Sequence, residues 1–382
     1  MFTDPEVQRL WRAGKIRAAY DASSRITAPR PTADHPFRDP TSMLETARQW
    51  HEHGVLCWHV ARFPEAGAVL GRAHAARKQA LGVDHPDTLD TAERLAALSH
   101  YLLDDAAPDR FADVISRLER VHGEDHVRVA IAQRNYAACL RDMQRIAEAR
   151  TLIDHAREVL ERELPPEHEE IVAVFKVSAM LYNIEGGYHK AIGDAERAVK
   201  IGGRIWSEDH PFVVTAELSI ANAELSLGEH RRAGKRLPAM IKSLQRDLGD
   251  HPMVAIALCL HADVELAAGS NFQRAEQLVR RGMAIYRETY GDDVPEGMVW
   301  TLFQILFESR QIVEAGEYAQ EAGELSRGLH LAMAGKLANY LTQVRDYPNA
   351  LPWIERARDL CDDAEVAAEW AAQAERLRRE IG

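Results

Sequence analysis

The sequence holds little of what most enzymes and most secreted or membrane proteins need. Only four of its 382 residues are cysteine, at Cys57, Cys139, Cys259 and Cys361, with no Cys-x-x-Cys pairing. Dispersed cysteines of this kind read as reduced, buried thiols in a cytosolic protein rather than as a disulfide framework. No run approaches the roughly 18 apolar residues of a membrane span. The amino terminus, Met1 to Glu6, lacks the basic and apolar regions of a signal peptide. Positive charge is in the minority: Lys and Arg number 47 against 59 Asp and Glu, for a net charge of -12. General nucleic-acid or anionic-membrane binding is therefore not expected. Aromatics are only 7%. No Gly-x-x-x-x-Gly-Lys-Ser/Thr loop, Gly-x-Ser-x-Gly elbow or His-Glu-x-x-His pair occurs, so the reading favours no chemistry, no catalytic residue and no cofactor.

What is abundant is repetition. The stretch Leu81-Gly82-Val83-Asp84-His85-Pro86-Asp87-Thr88 returns in imperfect form at Asp125-His126, Glu167-His168, Asp209-His210-Pro211, Asp250-His251-Pro252 and the decayed Asp293-Val294-Pro295. The steps from His85 to Val294 are 41, 42, 42, 41 and 43 residues. A period of that length marks a helical solenoid, which grows by adding units rather than domains. Gly82, Gly123 and Gly249 suit the left-handed residue that ends a helix, and Pro86, Pro211 and Pro252 suit the first position of the next. Asp84 and Asp87 complement the positive end of its dipole. The recurrent histidines stand one interhelical distance of roughly 10 Å apart, too far for shared metal coordination, so they read as structural residues at helix starts. On that reading, replacing His85 or His210 by Asn changes stability by at most about 1 kcal/mol, the scale of a helix cap.

Small residues recur where the two helices of a pair must approach: Gly54 with Ala66 and Ala73, Ala137 with Ala149 and Ala156, Ala179 with Ala191 and Ala198, Ala338 with Ala350 and Ala357. Close crossing needs them, and larger neighbours fill the grooves. The expected architecture is all-α, a right-handed α-solenoid of about eight helix pairs over residues 40–361. One helix from about Asp4 to Ile26 and a Pro-rich loop from Thr27 to Asp39 precede it within residues 1–39. A capping helix follows at 362–382, with Val366, Trp370, Leu377 and Ile381 on one side.

The run Trp50-His51-Glu52-His53-Gly54, then Phe63 and Glu65-Ala66, resembles the tetratricopeptide repeat. The second-helix entries Arg145-Ile146-Ala147-Glu148-Ala149, Gly187-Tyr188-His189-Lys190-Ala191 and Asn271-Phe272-Gln273-Arg274-Ala275 share the likeness. The long period and the Leu-Gly-x-Asp-His-Pro linker resemble the kinesin-light-chain subtype. The resemblance implies a scaffold or adaptor that holds a protein or an extended peptide against the first helix of each pair. Carried over copy by copy, the inner positions are His51, Trp58 and His59; Arg134, Arg141 and Asp142; Lys176, Met180 and Asn183; Leu218, Asn222 and Leu225; Leu260 and Val264; Trp300, Gln304 and Phe307; and Asn339 and Gln343. Arg134, Arg141, Lys176, Asn183 and Asn222 would meet an acidic group of the partner, and Trp300 and Phe307 its apolar side chains. The same cations also read as a solvated, self-paired face. Two other classes stay open: a small-molecule-binding or biosynthetic protein using His51 or His59, and a peptide-signal receptor. His53 and Cys57, four apart near His51 and His59, are the nearest approach to metal ligands, and core packing is the favoured reading for them. The oligomeric state is not legible.

Overall fold

A computed structural model describes residues 2–27, 39–102, 104–269, 271–292, 294–321 and 326–381, and the Pro-rich loop expected between Thr27 and Asp39 lies almost wholly outside them. Every regular element among the described residues is an α-helix. In order they are α1 (Pro5–Arg12), α2 (Ile16–Ile26), α3 (Pro40–His59), α4 (Phe63–Leu81), α5 (Pro86–Tyr101), α6 (Ala107–His122), α7 (Val127–Asp142), α8 (Ile146–Glu163), α9 (Glu169–Ile184), α10 (Tyr188–Ile205), α11 (Pro211–Ser226), α12 (His230–Leu248), α13 (Pro252–Ala268), α14 (Phe272–Tyr290), α15 (Glu296–Glu308), α16 (Ile312–Glu321), α17 (Arg327–Gln343), α18 (Tyr347–Leu360) and α19 (Ala364–Ile381). Helices α3 to α18 make the eight pairs of a helical solenoid, and α19 follows them. Among the described residues no helix is long and apolar enough to cross a membrane.

The punctuation works through the imidazole. In α5, α7, α9, α11 and α13 the Nδ1 atoms of His85, His126, His168, His210 and His251 accept the backbone N–H two residues on, at 3.2, 3.2, 3.1, 3.2 and 3.0 Å. Each satisfies a donor that the first helical turn leaves unpaired, the role Ser or Asp usually plays. Inside the pairs, the turn before the second helix carries one left-handed residue. In seven of the eight pairs this residue is seen: glycine at Gly186, Gly228 and Gly269, and Ala61, Gln144, Arg310 and Arg345 at positive φ in the others.

The chain forms two compact units, Met1–Ala257 and Leu258–Gly382. In the first, the small-residue seams are fully buried: Ala66, Ala73, Ala137, Ala149, Ala156, Ala179, Ala191 and Ala198 are all 0% exposed. A Cβ on Gly54 would stand 2.6 Å from Leu70 Cγ, so any side chain there overpacks the crossing of α3 and α4, a change that costs about 1–3 kcal/mol. Leu140, Ile153, Leu160, Phe175, Leu181 and Val213 join α7 to α11 in one continuous core. In the second unit Ala338, Ala350 and Ala357 repeat the seam, and Trp370 of α19 covers Gly335.

The single helix expected over 4–26 is two helices. Gly14 at φ +73° breaks it, and a Cβ there would come within 3.2 Å of the His210 backbone. The break turns α1 across the inner side of the first unit. Trp11 is 6% exposed, its ring 4.9 Å from His59 of α3 and 5.5 Å from Phe212 of α11. The hairpin α1–α2 therefore bridges the first and fifth helix pairs instead of stacking as a half repeat.

Candidate binding site on the inner helices

Helices α3, α5, α7, α9 and α11 present the first unit's inner side chains, and α1 covers the end nearest α3. His51 is fixed between repeats: its Nε2 lies 3.2 Å from Asp90 and its Nδ1 3.3 Å from Thr91 Oγ1, while burial pulls its pKa down to about 4. Trp58 packs edge-on against Tyr101 of α5. His59 is enclosed between Trp11 and Phe212, and burial, followed by the charges of Arg94 and Lys176, holds it well below the usual histidine range. Of the three aromatic residues assigned to this end by sequence, His59 is thus occupied by the chain's own amino-terminal helix.

The cations in the middle divide into paired and unpaired. Arg134 is buried and forms an ion pair with Glu170 at 2.8 Å. Arg141 donates from Nε to Asp142 at 2.7 Å and from Nη1 to the Met180 sulfur at 2.7 Å. Arg94 lies 3.6 Å from Glu93. His100 Nε2 meets the Asp142 carboxylate at 2.9 Å; burial opposes charge on this ring, but the bonds to Asp142 and Cys139 override it and raise its pKa to about 9. Lys176 differs from all of these. Its Nζ stands 4.9 Å above the Phe212 ring, and no carboxylate pairs with it among the described residues. Burial, reinforced by the neighbouring Arg134 and Arg141, pulls its pKa down to about 8. The residue is half-buried among the inner helices and carries the one unpaired positive charge of this group.

The two amides also separate. Asn183 donates from Nδ2 to the Ser219 carbonyl at 2.9 Å, tying α9 to α11, and its buried Oδ1 has no partner. Asn222 is exposed on α11. In the second unit, Trp300 is half-buried and stacks on Phe303, while Phe307 is buried beneath Tyr340 and the Lys336 ammonium, 4.6 Å from its ring. Phe307 is therefore a packed residue rather than an open apolar seat.

Sequence reasoning missed Trp11, Phe212, His100, Glu170 and Arg94. Phe212 and Glu170 sit in the first turn of inner helices, just after the punctuation, and the repeat register alone marked them as cap neighbours. The pairing of Arg134 with Glu170 of the next inner helix had one available signal: opposite charges one helix pair apart.

Residues 128–204, which span α7 to α10 and hold Arg134, Arg141, Lys176 and Asn183, match the tetratricopeptide repeat family model. No curated protein sequence matches the chain significantly. Similar solved folds include a Rap protein complexed with competence and sporulation factor (TM-score 0.58, 13% identity, covering 88% of this chain and 99% of that one). The Cut9–Hcn1 tetramer of the APC/C gives TM-score 0.61 at 16% identity, covering 94% of this chain and 59% of that one. A human IFIT1 dimer with PPP-AAAA gives 0.57 at 15%, covering 95% and 77%. At such identities the likeness is one of fold. The sequence match over α7 to α10 and the helical solenoid around it support a tetratricopeptide-repeat protein.

Proposed function

We propose that the protein is a non-catalytic binding scaffold that holds a protein or extended peptide on the inner face of α7, α9 and α11, with an acidic group of the partner on Lys176. The observation that carries this reading is the unpaired Lys176 ammonium among cations that are each already paired. A lysine whose charge is opposed by burial and by two guanidinium groups gains most from an incoming carboxylate. Arg134 and Arg141 shape the field around it rather than contact the partner first. Exposed Asn222 supplies a free amide for the partner's backbone. Among the similar folds, one is complexed with competence and sporulation factor and another with PPP-AAAA. The net charge of -12 favours a peptide over a nucleic acid here. The Leu-Gly-x-Asp-His-Pro linker supports the kinesin-light-chain subtype within the repeat family.

The test begins with a photo-crosslinking residue at position 222, which captures the bound peptide for identification by mass spectrometry. Lys176→Gln then weakens that peptide by about 2 kcal/mol, roughly 30-fold, and neutralising the peptide's acidic group costs the same, with no further loss when both changes are combined. Binding also weakens as pH rises through about 8, where the free protein loses the Lys176 proton. Undiminished affinity of Lys176→Gln sinks the proposal.

A further inference from the structure

The first helix pair differs from the fifth and sixth at three positions that converge across the crossing: the residue before the seam Gly or Ala, the residue four further on, and the residue before the first seam Ala of the second helix. In α11 and α12 these are Ile220, Glu224 and Arg232, and the last two form an ion pair at 3.4 Å. In α13 and α14 they are His261, Glu265 and Arg274, with Arg274 3.6 Å from Glu265. The geometry thus brings the side chain from the second helix onto those of the first, and a cation from one meets an anion from the other. In α3 and α4 the same positions hold His53, Cys57 and Glu65. No cation replaces Arg232 or Arg274 there. Three residues with nitrogen, sulfur and oxygen donors meet instead, with one donor atom of each within 4.8 Å of the others.

We propose that His53 Nε2, Cys57 Sγ and Glu65 Oε1 form a site for one divalent transition metal of the zinc class, with the fourth position open to water on the exposed side of Glu65. Metal–ligand bonds of about 2.0–2.3 Å in a tetrahedron place the donors about 3.3–3.8 Å apart, and His53 Nε2 lies 3.5 Å from Glu65 Oε1. Further residues from α2 and from the cap of α4 orient the ligands. Ser23 Oγ sits 3.2 Å from His53 Nδ1, which directs Nε2 toward the other two donors. The Tyr20 hydroxyl lies between the two Glu65 oxygens, 3.1 Å from Oε2 and 3.2 Å from Oε1, and Arg62 holds Oε2 at 3.3 Å, so that Oε1 faces His53 Nε2. His53 and Cys57 are 4% and 0% exposed, so the donors are already desolvated. Burial keeps the imidazole neutral, the form that ligates, and pushes the thiol up to about 12. On binding, the sulfur–metal bond forms as the thiol proton leaves to solvent, and the thiolate and the Glu65 carboxylate together neutralise the dication. The affinity therefore rises with pH. Because Tyr20 and Ser23 both belong to α2, an occupied site fastens the amino-terminal hairpin to the first pair.

The test titrates the full, reduced chain with Co2+ and then displaces it with Zn2+. One equivalent of Co2+ is expected to give a thiolate-to-cobalt charge-transfer band in the near ultraviolet with tetrahedral visible bands, and about one proton is released at neutral pH. Cys57→Ser abolishes the charge-transfer band, and Glu65→Gln weakens binding at least tenfold. His53→Leu places there the residue that Leu95 and Leu337 supply in the second and eighth pairs. It should fold, as circular dichroism will report, while losing both the bands and the zinc-induced rise in Tm. A wild-type chain without the band at stoichiometric Co2+ overturns the proposal, as does a band that survives Cys57→Ser and so arises from another cysteine.

Discussion

The junctions before α5 and before α11 carry the same letters, Asp84-His85-Pro86 and Asp209-His210-Pro211, and the same local bond. Each histidine caps its helix through Nδ1 at 3.2 Å. Beyond the cap they differ. The His85 side chain is 37% exposed. His210 is 0% exposed, stacks on Trp206 and sends Nε2–H to the Trp11 carbonyl at 3.1 Å. The bond to Phe212 N–H fixes the tautomer that makes this second bond, so one ring fastens two helix ends from opposite sides. A repeated motif therefore specifies what the backbone must do locally, while the same ring acquires a tertiary role only where another segment reaches it. Both histidines cap their helices as expected, and they differ in burial.

The largest way to break this difference is to remove the segment that creates it. Trp11→Ala leaves a cavity among Phe2, His59, His210 and Phe212 and should destabilise the first unit by about 3–5 kcal/mol in chemical denaturation. A loss below about 1 kcal/mol would mean that α1 does not hold this place in solution.

His210→Asn is next in size. Asparagine still caps α11 but cannot reach Trp11, whose carbonyl keeps only the Gly14 N–H at 2.9 Å, and the loss of one buried hydrogen bond costs about 0.5–1.5 kcal/mol. The variant also reports on acid stability. Burial lowers the folded pKa of His210 from 6.5 to about 4, so its contribution is complete above 6.5 and is lost as pH falls from there toward 4. Over that range the variant's stability should fall less steeply than the wild type's, by up to about 1.4 kcal/mol per pH unit, the slope of one proton. Parallel curves would show that His210 is not held neutral.

The smallest effect belongs to His85→Asn, which exchanges one cap for another at an exposed helix start and should shift unfolding by no more than about 0.5 kcal/mol. If its loss matched that of His210→Asn, the distinction between the two junctions would vanish.

These contrasts show where sequence reasoning reached and where it stopped. The seam at Ala137, Ala149 and Ala156 was legible because a helix crossing demands small side chains at fixed spacing, and the structure buries all three completely. The helix starts at Pro86, Pro211 and Pro252 were legible because proline restricts its own backbone. The helix register was legible too, since it placed Arg134 and Arg141 on one first helix, α7, and Lys176 on the next, α9. Their pairing was not. Whether a cation is free depends on which carboxylate the adjacent helix brings within 4 Å, and side-chain reach is not periodic. Glu65 was read as part of the second-helix entry, and only the crossing of α3 and α4 carried its carboxylate to His53 and Cys57.

The amino-acid sequence by itself determined the all-helical class, the length of the unit, the starts of its helices and the buried seams. Each of these follows from interactions within a helix or between neighbours one repeat apart, where local propensity and spacing suffice. Tertiary structure alone decided that α1 turns at Gly14, enters beside His59 and Phe212 and lays its carbonyl on His210, 199 residues away. A segment outside the repeat has no register to inherit, so its place is set by the side chains it can bury and the backbone groups it can satisfy once the pairs are stacked.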